Sequence, residues 1–257
     1  MDKQVSIERA ISKLANTMRN YVESNMRFEA LFKVDPEEAI DNVDNGFEMK
    51  LERFHTLYDV FKNNFRYFDH GETALLIALR NAIHHQNDSL FISLNRRLHL
   101  EGSLEGKIGA SFLLASHQTA HGGEILMSHY VRLDDLDSRL NPSLNSKYLD
   151  NFLKGGKAEQ RFEIINDQLR LETIRERALR DSYPVDQVYL DLMPIFVSAV
   201  CKVFKAAKEA GLEFKGFDAQ TYEKPFVTEL DVDLSKLDFK RLWLRGNGSL
   251  DLIPIPV

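Results

Sequence analysis

Residues 79–87 read Leu-Arg-Asn-Ala-Ile-His-His-Gln-Asn. Arg80 and Asn81 stand a few positions ahead of His84 and His85, so one short stretch carries a permanent cation, an amide and two groups that titrate near neutrality. That set suits cleavage of a phosphodiester. A guanidinium stabilises charge growing on a phosphoryl oxygen, and an imidazole moves the proton of an attacking or leaving hydroxyl. The same residue types have a plainer use, because Arg and His in the last turn of a helix also cap carbonyls or pair with a carboxylate. On a regular helix His84 lies about 40° around from Arg80 and His85 about 140°. Within one chain His84 is therefore the same-face partner.

These residues must be held by a helix. Leu75, Leu76, Leu79 and Ile83 recur at helical spacing, and Asp69 with Glu72 three positions later resembles a capping box, so the spacing predicts a helix over 71–86. Before it, Phe47, Leu51, Phe54, Tyr58, Phe61, Phe65 and Phe68 alternate by fours and threes across 47–68. An aromatic stripe at that period predicts a core face rather than a base-stacking platform. Ile7, Ile11, Leu14, Met18 and Tyr21 predict another helix over 6–32. The polar stretch 35–46 reads as a connection with a short helix at 36–40. Three helices in quick succession suggest an antiparallel bundle.

Arg80, Asn81 and His85, with a gap of four, resemble the signature of the HEPN superfamily: Arg, usually a polar residue, then His after four to six positions. The resemblance covers residues 1 to about 130. It implies a mainly α fold, with a HEPN-like antiparallel helical bundle over 1–140. It also implies a metal-independent endoribonuclease in which the 2′-hydroxyl of RNA attacks the neighbouring phosphate. His85 would act as acid or base, with His84 as its close second, while Arg80 stabilises the phosphoryl oxygens and Asn81 orients the site. The family commonly forms homodimers through the motif helices and serves toxin–antitoxin or phage-defence systems, which implies an antitoxin or defence protein as a further partner. Many relatives are instead non-catalytic modules that bind RNA, a nucleotide or a protein. No cofactor and no metal is expected.

Other candidates surround the motif. Arg96 and Arg97 are the nearest basic pair and would extend an RNA surface, or else form a solvated face. They lie in 89–100, which is ambiguous between strand and helix. His117 and His121, read on a helix over 110–121, have zinc-ligand spacing with His129 further on, but residue 118 is Gln where the metalloprotease pattern needs Glu. The adjacent pair Asp134-Asp135 reads as surface. No glycine-rich phosphate loop or nucleophile elbow is present.

The loop-rich stretch 141–156 suggests a boundary, followed over 141–257 by a C-terminal helical extension that ends in a small antiparallel β element. Residues 157–181 predict one long mixed-charge helix and 185–210 a buried helix that Pro194 would kink. Alternation from 226 onward, with Gly246-Asn247-Gly248 as the turn, predicts a hairpin whose last strand is confined to an edge by Pro254 and Pro256. The net charge of −6 argues against a broad electrostatic grip on nucleic acid while leaving room for a small basic cleft. The single Cys201 excludes an internal disulfide framework. With no leader pattern and no apolar run long enough for a bilayer, a cytoplasmic protein without membrane contact is expected.

Overall fold

The protein is described by a computed structural model covering residues 3–84, 90–102, 104–149, 156–215 and 219–256. The first two periodic stretches form α1 (Lys3–Phe32) and α2 (Pro36–Phe61). Asp35 caps α2, its side chain accepting from the Glu38 N–H at 3.0 Å, and Pro36 takes the first helical position. The stretch 35–46 is therefore not a connection but the start of a long helix. Ala39, Ile40 and Val43 carry the buried face that Phe47, Leu51, Phe54 and Phe61 continue, and the exposed Asn42 and Asn45 had obscured it. Gly46 does not end the helix. A Cβ there would lie 3.3 Å from the Tyr21 ring, so the glycine lets α1 and α2 approach closely. Phe65 and Phe68 fall beyond the helix yet still pack on the core.

The motif helix is α3 (Gly71–His84), entered through a short 3₁₀ turn at Tyr67–Asp69. The expected capping box is absent. The Gly71 N–H instead donates to Gln168 Oε1 at 2.7 Å, so the cap comes from the second half of the chain. Glu72 is fully buried, accepting from Ser198 Oγ at 3.2 Å and pairing with Lys202 at 2.5 Å. These contacts pin α3 on α8 (Leu192–Glu209) and fix the direction in which Arg80 projects.

The remaining elements are α4 (Leu94–His99), β1 (Ser111–His121), β2 (Tyr130–Arg132), α5 (Leu133–Leu140), α6 (Gly156–Gln168), α7 (Leu171–Arg180), β3 (Val188–Asp191), β4 (Asp231–Leu244) and β5 (Leu250–Ile255). The strands form one sheet in the order β2-β3-β1-β4-β5. It is mixed rather than purely antiparallel, because β1 and β3 run parallel while the other pairs are antiparallel. The C-terminal hairpin is present, and β5 with Pro254 is an edge strand.

Three helix readings fail for physical reasons. Residues 110–121 form a central strand, where Phe112, Leu113, Leu114 and Ala115 are buried on both faces and hide the two-residue period. Residues 157–181 are two helices, broken where Arg170 takes φ +56° so that Leu169 and Leu171 can both be buried. Residues 188–191 form a buried strand that runs directly into α8. Pro194 falls in the first turn of α8, where its missing N–H costs nothing. The chain is mainly helical with a small mixed sheet. One hydrophobic cluster joins Ile7 of α1, Leu76 of α3, Ile165 of α6, Phe204 of α8 and Phe239 of β4. Among the described residues no helix is long and apolar enough to cross a membrane.

Candidate active site

The end of α3 and the middle of α2 face each other, and their polar side chains meet at the rim of the core. Arg80 Nε donates to Glu52 Oε1 at 3.0 Å and Nη2 donates to Oε2 at 3.2 Å, a two-point match of guanidinium to carboxylate. Nη1 reaches Asn81 Oδ1 at 3.5 Å, so Asn81 stands beside the guanidinium. The Arg80 side chain is 18% exposed, which leaves the cation fixed in direction but reachable from solvent.

One turn further along α2, His55 Nδ1 lies 3.3 Å from Asp59 Oδ2 and the ring leans on Tyr58. Burial lowers the His55 pKa, and the Arg80 charge lowers it further. Asp59 Oδ2 faces Nδ1 at ion-pair distance, which leaves Nε2 on the other side of the ring. Glu52, His55 and Asp59 were not singled out in the sequence. Their spacing of three and four places them on one helical face, and that was the available signal.

His84 closes α3 at the exposed end. His85 lies outside the described residues. Arg96 and Arg97 are occupied by carboxylates: Arg96 Nε donates to Asp44 Oδ2 at 3.3 Å and its head also contacts Asp41, while Arg97 donates to Glu101 at 3.2 Å and Asp135 at 3.4 Å. Asp135 is not a surface residue. It is buried and holds Arg97, Arg132 and the Phe91 N–H together.

The three histidines with zinc-like spacing do not converge. His117 Nε2 lies 3.1 Å from Leu169 O, and burial pushes its pKa down to about 4. His121 ends β1 in an exposed position. His129 stacks on Phe47 with ring centroids 3.8 Å apart. Among the described residues no three His, Cys, Asp or Glu side chains are grouped to hold a metal ion.

A second set of titratable groups is enclosed in the core. The Lys50 amine sits 3.4 Å from the centre of the Tyr21 ring and 4.5 Å from that of Phe196, and donates to the Met193 sulfur at 3.1 Å. No carboxylate among the described residues lies within ion-pair distance of it, and burial drives its pKa well below that of a free lysine. Asp191 caps α8, its Oδ1 accepting from the His129 and Met193 N–H groups at 3.0 Å each and its Oδ2 from Ser116 Oγ at 3.2 Å. Burial still raises it to about 6. Comparison of the chain with family models, with curated proteins and with solved structures gives no match.

Proposed function

We propose that the chain is a metal-independent endoribonuclease acting where α2 and α3 meet. The observation that carries this reading is the His55–Asp59 pair beside the Glu52-held Arg80. The packing of α3 on α2, with Arg80 and Asn81 near the C-terminal end of α3, is also the setting that the HEPN resemblance expects. His55 Nε2 takes the proton of a 2′-hydroxyl as its oxygen forms a bond to the adjacent phosphorus. The bond from phosphorus to the 5′-oxygen breaks, and the motif histidine, His85 by the resemblance or His84, gives a proton to the leaving oxygen. Arg80 stabilises the phosphoryl oxygens, and Asn81 positions them. The products carry 2′,3′-cyclic phosphate and 5′-hydroxyl ends. A homodimer through the motif helices would supply the acid from either chain. Incubation of the protein with mixed RNA in excess chelator, beside Arg80→Ala, tests the reading.

One observation favours a second reading, a non-catalytic module that binds RNA or a protein partner. The Arg80 charge is already matched by two hydrogen bonds to Glu52, so the pair also serves as a structural clamp. That reading predicts no cleavage by the wild type.

A further inference from the structure

The chain has more carboxylates than cations, 39 Asp and Glu against 33 Lys and Arg. The arginines described above are matched by them: Arg80 holds Glu52, Arg96 holds Asp41 and Asp44, and Arg97 and Arg132 hold Asp135. The opposite arrangement occurs between α1 and the middle of α2, where a groove of about 440 Å³ opens. Arg9 and Lys13 of α1 and Arg53 of α2 line it, with Arg19 as a fourth cation. Arg9, Lys13 and Arg53 make no hydrogen bond or ion pair among the described residues, and no carboxylate among them lines the groove. One solvated lysine without a partner is ordinary. Three unmatched cations around one concavity, in a chain with carboxylates in excess, repel one another until an anion enters.

The other lining groups narrow the choice of anion. Ser12 and Asn16 stand among the cations on α1 and can hydrogen-bond its oxygens. Arg9, Lys13 and Asn16 follow each other at four and three, so they share one face of α1 over about 10 Å. A row of separated groups suits a row of phosphates better than a single small anion, and these are the side-chain types that grip nucleic-acid phosphates. No aromatic ring lines the groove, so it has no platform for stacking bases. What it can hold is the backbone of a strand, whatever the sequence.

The groove adjoins the candidate active site. Glu52 and His55 stand on the α3 side of α2, near Arg80, and Arg53 turns about 100° from Glu52 to the α1 side. A single helix, about 10 Å across, separates the two.

We infer that the α1–α2 groove is a binding track for the phosphodiester backbone of single-stranded RNA, held by Arg9, Lys13 and Arg53. The choice of RNA rests on the nuclease reading above, in which the strand beside the scissile phosphate leaves the α2–α3 cluster over a neighbouring surface. The net charge of −6 then repels the strand elsewhere and leaves this track as the attractive one.

Fluorescence anisotropy of the full chain with a labelled 2′-O-methyl RNA of about 12 nucleotides, which 2′-hydroxyl attack cannot cleave, reads the track apart from catalysis. Titrations at several salt concentrations count the phosphates held, because log K falls with log salt by about 0.7 per contact on a single strand. The variant carrying Arg9→Gln, Lys13→Gln and Arg53→Gln should lower that slope by about 2, and the affinity at about 0.1 M salt by about 10-fold or more. A control carrying Lys147→Gln, Lys224→Gln and Lys236→Gln removes the same charge outside the groove and should leave the slope unchanged. A DNA strand of the same length should respond as the RNA does, because phosphates and not 2′-hydroxyls are held. Equal loss in the two triple variants, or no RNA binding by the wild type, overturns the inference. Tighter, groove-dependent binding of a polyglutamate peptide also overturns it and assigns the groove to an acidic protein. Groove-dependent binding without RNA cleavage would retain the track and remove the nuclease reading. Arg80-dependent cleavage with binding untouched by the groove substitutions would do the reverse.

Discussion

Two polar clusters flank the same helix, and they handle charge in opposite ways. On the outer flank of α2, Glu52 answers Arg80 and Asp59 answers His55, each within hydrogen-bond or ion-pair distance and each partly open to solvent. On the inner flank, Lys50 is surrounded by Tyr21, Phe47 and Phe196, with no carboxylate among the described residues to pair with it. The outer cluster can bind and move charge because solvent and partners share its cost. In the inner cluster burial disfavours the charged forms and lowers both the lysine and the histidine. In the nuclease reading we propose, chemistry on an anionic substrate falls to the outer cluster, while the inner one bears on stability and its dependence on pH.

The largest expected effect separates the two clusters by function. Arg80→Ala should reduce chelator-resistant RNA cleavage by about 100-fold or more, the loss typical of removing one fixed donor to a developing oxyanion. Its urea midpoint should move little, because the Glu52 partner is 45% exposed and can be solvated.

Next comes acid. The folded chain holds His129 at about 3 and His117 at about 4, whereas both titrate near 6.5 when unfolded. The unfolded state therefore binds more protons, and stability is lost as pH falls from about 6.5 toward those values, at up to about 1.4 kcal/mol per pH unit for each proton. Asp191, raised to about 6, works against this between its unfolded value and 6. Burial also lowers His55, His70 and His99 and raises Asp44, Glu48 and Asp134, and with the two deeply buried histidines shifted furthest, denaturant midpoints at pH 4.5 should lie below those at pH 7. An unchanged midpoint would mean that the inner histidines are not held neutral.

A smaller effect probes Lys50 itself. Lys50→Met keeps the length of the side chain and removes the amine, and should raise stability by about 1–3 kcal/mol. It should also flatten stability against pH in the alkaline range. In the wild type the unfolded lysine keeps its proton to higher pH than the folded one, so stability rises with pH between the folded and the unfolded titration. A destabilised Lys50→Met would show that the amine makes a compensating contact. The smallest effect is that of Glu52→Gln, about 0.5–1 kcal/mol as for a partly exposed pair. Its use is to ask whether the outer clamp orients Arg80, in which case cleavage falls while stability barely changes.

The sequence conveyed the helices whose one face is buried. The 6–32 stripe and the Phe47–Phe61 stripe lead directly to α1 and α2. It concealed elements that are buried all round, as with β1 and β3, because a fully buried strand loses the alternation that identifies it. It also concealed contacts between distant segments. Gln168 caps α3 in place of Asp69, and no local spacing announces that. Within the candidate site, Arg80 and Asn81 were legible as a motif, whereas Glu52, His55 and Asp59 acquire meaning only when α2 is laid against α3. The Arg96-Arg97 pair read as a basic patch, and the carboxylates of Asp41, Asp44, Glu101 and Asp135 neutralise it in space.

The most direct test of the account is cleavage of mixed RNA in excess chelator by the wild type, Arg80→Ala and His55→Ala, with the product ends identified. The account predicts cutting by the wild type alone, leaving 2′,3′-cyclic phosphate ends. Cleavage that survives both substitutions, or a wild type that binds RNA without cutting it, would contradict the assignment of the α2–α3 cluster as the catalytic centre.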